Sequence, residues 1–189
     1  MTVEEMAKPE VTRLLGEAAE WRLLGLLFEY PSASWRTQLT ALLPDLRDES
    51  LIGMANSSLE FASEGLHIAL FGPAGSVPLR EVTYQAGVQY GYLMAELAAY
   101  YGAFGYSPSA EEAADHLAVE LGFVAYLKLK QALAVAASDS GPAQVTADAA
   151  AAFIKDHLAV LAEPVARALE SFAPAYLVQA GRLILQRTG

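Results

Sequence analysis

The 189-residue chain predicts an all-α fold, and three observations carry that prediction. Ala, Leu and Glu dominate, and β-branched runs are scarce. Apolar residues recur at helical spacing over most of the chain. Pro, Gly and Ser punctuate that pattern where helices should stop and start. The composition is 54% hydrophobic and 18% charged, which belongs to a well-buried globule. A single domain over 1–189 with about 8–10 helices is expected. The breaks leave room for two sub-bundles, 10–101 and 109–187, joined near residues 102–110.

Each element has its own local signal. The first helix is expected over residues 10–29, with Leu14, Ala18, Trp21, Gly25 and Phe28 at helical spacing, ended by Tyr30-Pro31. Ser34 is placed to cap a short second helix to Leu43, stopped by Pro44. A third, from Asp48 to Ser63, carries Leu51, Met54, Ala55, Leu59 and Ala62 on one face, and Gly65 punctuates it. The short stretch Leu66–Phe71 then meets the longest irregular segment, Gly72 to Leu79, too rich in Gly and Pro for a helix interior. Gly87 and Gly91 weaken the helical pattern after Glu81, so a clear helix is expected only from Gly91 to Tyr101. Gly102 to Pro108 is a second break. Ser109 is placed to cap a long helix to Ala137, with Glu111, Glu112 and Asp115 near the positive end of its dipole. Ser138–Pro142 reads as a turn and a candidate hinge. Thr146 is placed to cap a helix from Ala147 to Leu161, Pro164 to open another to Phe172, and Ala175–Gln186 is the last.

Charge and composition exclude several functions. Twelve Lys and Arg against 22 Asp and Glu give a net charge of −10, which repels phosphate backbones and favours a basic partner. Nucleic acid is therefore not an expected partner. The absence of cysteine rules out disulfides, thiolate metal sites and a Cys nucleophile, and suits a reducing cytoplasm. The first ten residues are acidic and lack an apolar core, so they do not read as a signal peptide. The mean hydropathy is +0.28, yet Gln85, Gln89 and Glu96 interrupt the best apolar stretch. No run approaches the ~18–20 apolar residues of a membrane helix.

Three constellations invite a chemical reading. Glu112, Asp115 and His116 stand at i, i+3 and i+4, so they can share one side of a helix. As a metal site they offer at most three ligands. The paired Glu-x-x-His motifs of a di-metal bundle and the two histidines of a zinc-protease motif are missing, and Glu64 to His67 is the one such spacing. A metal-dependent hydrolase using these three residues stays open as an alternative. So does a bland role in which the acids serve the helix dipole and His116 bonds locally. A peptide-recognition patch is the third reading. The Phe71–Leu79 loop carries neither G-x-G-x-x-G nor a Walker pattern, so no nucleotide loop is read there. Its apolar side chains suit either a peptide or the covering of a core. His157 lies beside Asp156 on an amphipathic stretch and reads as a satisfied helix histidine. A structural all-α interaction subunit is the remaining alternative.

The order of these stretches resembles the TorD/DmsD/NarJ family of redox-enzyme maturation chaperones. The resemblance is carried by Leu70-Phe71-Gly72-Pro73, by Pro78 ahead of Glu81-Val82-Thr83-Tyr84, and by Tyr101 with Gly105. Glu112-Ala113-Ala114-Asp115-His116-Leu117 and Phe153 with His157-Leu158 complete it, over roughly residues 20–185. Three positions depart from the family pattern: Ala113 for a proline, Val82 for a serine and Leu161 for a tryptophan. The resemblance implies an all-α, non-enzymatic cytoplasmic chaperone without a cofactor or metal of its own. It would bind the N-terminal, often twin-arginine, segment of a molybdopterin oxidoreductase catalytic subunit, hold it until cofactor insertion, and restrain early export or membrane docking. Glu112, Asp115 and His116 would face the basic part of that peptide. His67, Leu70, Phe71, Pro78 and Leu79 would line its apolar part. Members of the family can form domain-swapped homo-oligomers, and the resemblance leaves the oligomeric state of this chain open.

Overall fold

The computed structural model describes residues 3–108 and 112–189, with side chains from residue 8 onward. The described residues form helices and no strand. They are α1 (Val3–Leu27), α2 (Ala33–Leu42), α3 (Glu49–Phe61), α4 (Glu64–Phe71), α5 (Tyr90–Phe104), α6 (Leu117–Ala136), α7 (Ser140–Phe153), α8 (Ala159–Phe172) and α9 (Ala175–Thr188). A π turn, Ile154–Leu158, makes α7 and α8 one continuous rod.

Local chemistry sets the helix starts. Ser32, rather than Ser34, caps α2 by accepting from the Trp35 amide at 3.2 Å. Asp48 Oδ1 caps α3, accepting from the Ser50 amide at 2.7 Å. Ser63 Oγ caps α4 at the Leu66 amide, so Gly65 lies within α4 instead of ending α3. Gly105, with φ of +68°, supplies the left-handed residue that ends α5. Gly91 and Gly102 therefore sit inside that helix, which is longer than the sequence predicts.

The core is built on α6. From Leu117 to Leu127 almost every side chain is buried, as expected for a helix apolar on all sides. α1 packs along it, and Gly25 lets the backbones approach. A Cβ there would stand 3.2 Å from the Ala118 carbonyl oxygen. The Phe123 ring meets Tyr101 and Phe153 at 4.8 Å and Tyr106 at 5.2 Å between centroids. The core thus runs without a break from α1 across α6 to the α7–α8 rod.

The second half departs from the sequence expectation in three ways. The connection after α6 is short, and α7 begins at Ser140 with Pro142 in its first turn, where a missing N–H costs nothing. Thr146 is not a cap: it lies within α7 and its hydroxyl donates to the Pro142 carbonyl at 2.7 Å. Pro164 lies inside α8 rather than at its start. α8 and α9 meet closely at Gly181, where a Cβ would stand 2.7 Å from Leu169 Cδ1 and 3.2 Å from Ala166 Cα. Gly181→Val is therefore expected to force these helices apart at a cost of about 1–3 kcal/mol, read as a lower urea midpoint.

Candidate functional site

Two sequence-distant motifs meet at one antiparallel bridge between Arg80 and His116. The Leu117 amide donates to the Leu79 carbonyl at 2.9 Å, and the Glu81 amide donates to the Asp115 carbonyl at 2.9 Å. This pairing explains why α6 starts at Leu117. The bridge takes up the Asp115 carbonyl and the Leu117 amide, and His116 between them is extended, with φ of −85° and ψ of 135°. His116 becomes the N-cap itself, its Nδ1 accepting from the Ala118 amide at 3.2 Å. Ser109 and Glu111, predicted as cap and first turn, lie outside the described residues. The apolar loop folds back on α4, with the Val77 amide donating to the Leu70 carbonyl at 2.8 Å. Gly75 is required there, because a Cβ would stand 2.4 Å from the Leu70 carbonyl oxygen.

The structure separates the eight predicted site residues into a surface set and a supporting set. Asp115 is completely buried. Its Oδ1 accepts from Arg80 Nε at 2.5 Å and its Oδ2 from the Val82 amide at 3.3 Å. His116 is also buried, with Nε2 4.0 Å from Glu112 Oε2. Leu70 and Leu79 lie under the surface. Glu112, His67, Phe71 and Pro78 reach solvent. The His67 ring stands edge-on to Tyr30 and Phe71, at 5.3 and 5.2 Å. Three residues join this face that sequence reasoning did not select: Ile68, Tyr90 and Arg80. Arg80 has a signal in the sequence, since it is the only Lys or Arg between Arg47 and Lys128.

Burial pushes the His116 imidazole down to about 4, and the nearby His67 and Arg80 add to the effect. Its capping Nδ1 must stay unprotonated. An unfolded chain takes up this proton at the ordinary value of 6.5, whereas the fold resists it until about 4. The contribution is present above the ordinary value and is lost as pH falls through the folded one, by about 1.4 kcal/mol per unit. His116→Asn keeps a capping side chain and removes the titration. Its stability relative to wild type should improve between pH 7 and pH 5, as read by urea unfolding.

Beneath the bridge lies a buried polar cluster. Glu81, Glu120 and His157 are each almost or wholly inaccessible. His157 Nδ1 stands 3.1 and 3.2 Å from the two Glu81 oxygens and donates to them. Gln85 also donates to Glu81. Glu120 is different: as a carboxylate, neither of its oxygens has a donor. Burial, then the neighbouring Glu81 charge, pushes its carboxyl well above the ordinary range. Protonated, it can share its hydrogen with Glu81. The π turn brings His157 into this cluster, so it is a satisfied internal histidine on its Nδ1 side.

A much larger cleft than any at this bridge lies between α1 and α6. It has a volume of about 550 Å³ and is floored by Gly16, Ala19, Gly122 and Ala125 and walled by Leu15 and Leu129. A crevice beside His67, Leu70 and Phe71 is far smaller, about 10 Å³. The cleft was not legible in the sequence because its floor is assembled from two helices about a hundred residues apart, each apolar enough to read as core.

Two groups of the metal reading are engaged elsewhere: Asp115 accepts from Arg80 and the Val82 amide, and His116 Nδ1 caps α6. What stays exposed is an apolar, partly acidic face on a helical scaffold. The nitrate reductase delta subunit family matches residues 32–167, well over half of the chain. The chain belongs to that family, the NarJ/TorD-type chaperones of molybdoenzyme maturation. A search of curated proteins gives no match. Among the described residues no helix is long and apolar enough to cross a membrane.

Proposed function

We propose that this protein is a cytoplasmic, non-enzymatic chaperone that binds the N-terminal segment of a molybdopterin oxidoreductase catalytic subunit. It holds that segment until the cofactor is inserted, before export or membrane docking. The observation that carries this reading is the meeting of the 70–80 loop and the 112–117 segment at the Arg80–His116 bridge. The bridge joins the segment that carries Phe71 and Pro78 to the segment that carries Glu112. The apolar side would take the hydrophobic part of the leader and Glu112 a basic residue. His116, Leu70 and Leu79 would act mainly from below, by holding the two segments together, with Asp115 beneath Arg80.

One observation favours a second location for the peptide: the α1–α6 cleft is much the larger concavity. A helical segment lying over its small-residue floor would fit the same function. The two locations separate cleanly by mutation. A Cβ on Gly16 meets nothing within 4 Å, so Gly16→Leu should fill the cleft without disturbing the fold. In calorimetry with a client leader peptide, Phe71→Ala with Glu112→Gln is expected to weaken binding at least tenfold and Gly16→Leu to leave it unchanged. The reverse pattern would move the peptide to the cleft. No binding by the wild type would remove the reading. Binding is also expected to weaken as salt rises, because part of it is charge pairing.

A further inference from the structure

Arg80 is the one cation in the stretch between Arg47 and Lys128, which carries ten acids. Several of those acids are exposed, among them Glu60, Glu64 and Glu96. Arg80 bonds none of them. Its side chain, 36% exposed, instead reaches inward to Asp115, whose side chain is 0% exposed. The contact uses Nε alone, at 2.5 Å. Nη2 lies 3.5 Å from the exposed Tyr90 hydroxyl, and the guanidinium stands 5.9 Å from the Tyr90 ring centroid. Arg80 thus enters from the solvent face, along the surface assigned to the peptide, and ends on a buried carboxylate.

We propose that Arg80 is a stand-in for a guanidinium of the client: it occupies Asp115 in the free chaperone and is exchanged for an arginine of the incoming segment. The proposal rests on the peptide-binding reading above and adds a regulatory contact to that site. Its physical basis is the cost of leaving Asp115 alone. A buried carboxylate without a partner is strongly disfavoured, so the free protein must supply a cation of its own. Exchange of one guanidinium for another keeps Asp115 paired throughout. The released Arg80 moves into water, where its charge is hydrated, and Tyr90 and Glu112 remain at the rim. The exchange selects arginine over lysine, since a planar guanidinium reproduces the Arg80 contact and a compact ammonium does not. It also keeps the site closed to weaker cations until a leader with its own apolar anchor arrives.

The test has one arm without a peptide. Arg80→Gly is expected to melt below wild type, and ethylguanidinium is expected to restore part of that loss where ethylammonium does not. Wild type should respond to neither. In the second arm, a leader peptide containing arginine is expected to bind Arg80→Gly at least tenfold more tightly than wild type. The same peptide with its arginines changed to glutamine should bind the two proteins alike. If Arg80→Gly does not fold, Arg80→Ala, which also leaves the Asp115 carboxylate without a partner, takes its place in both arms. An equal response to ethylguanidinium and ethylammonium would overturn the guanidinium site. Weaker peptide binding by the Arg80 variant would overturn the stand-in role and make Arg80 a direct contact. Rescue without any peptide binding would keep the site and overturn its exchange with a client.

Discussion

At pH 8, Glu120→Gln is expected to be more stable than wild type, and the advantage should shrink as pH falls toward 5. Glu120 is completely buried beside Glu81, and burial followed by that neighbouring charge raises its carboxyl well above the ordinary value of 4.5. In the unfolded chain the group gives up its proton near that ordinary value. In the fold it keeps the proton to higher pH. The unfolded state therefore binds fewer protons in this window, and stability falls as pH rises. The contribution is fully present below the ordinary value and is lost as pH rises through the raised folded one, by about 1.4 kcal/mol per unit. Glutamine keeps the shape, supplies a permanent donor toward Glu81 and does not titrate. Between the ordinary values of Glu120, 4.5, and His116, 6.5, the two slopes oppose each other. The wild type should therefore change little there and lose stability above it. Urea midpoints across about pH 5 to 9 for wild type and Glu120→Gln measure this directly. Parallel curves would show that folding leaves the Glu120 titration unshifted and would contradict the raised carboxyl.

Asp115→Ala is expected to be among the most damaging single changes. It removes the acceptor of Arg80 and of the Val82 amide at the point where the 79–84 segment joins α6. Removing one partner of a buried pair costs about 3–5 kcal/mol. Arg80 is partly exposed and can turn toward water, which places the expected loss near the lower end, about 3 kcal/mol. For a chain of this size that is a fall in Tm of about 6–12 °C. The damage should also be local. In amide exchange, Glu81 and Leu117, which hold the two bridge hydrogen bonds, should lose protection before the middle of α6 does. A loss spread evenly over the chain would mean that the bridge is not a separate structural unit.

Much of the helical scaffold is legible in the sequence, because helix formers, caps and Gly-Pro breaks act locally. Asp48 ahead of α3 and the irregular run from Gly72 to Leu79 stand where local chemistry predicts. The differences arise where distant contacts override local preference. The sequence around Asp115-His116 has the acids of a helix first turn, yet its backbone pairs with residues 79–81, and the helix waits until Leu117. Pro164 has the look of a helix start, but the π turn and the packing of Val165 and Leu169 carry the rod through it. The site is legible as a set of residue types and as a resemblance. Its division into surface and support is not. Nothing local to Asp115 announces that Arg80, 35 positions earlier, reaches its carboxylate. Nor does the spacing of Glu81, Glu120 and His157 announce that they share one buried cluster.

The most direct test of the account is amide exchange of the full chain with and without a client leader peptide. The account predicts that the peptide slows exchange in residues 67–80 and 112–117 and leaves the helices of the α1–α6 cleft unchanged. Protection confined to α1 and α6, or no change anywhere at saturating peptide, would contradict it.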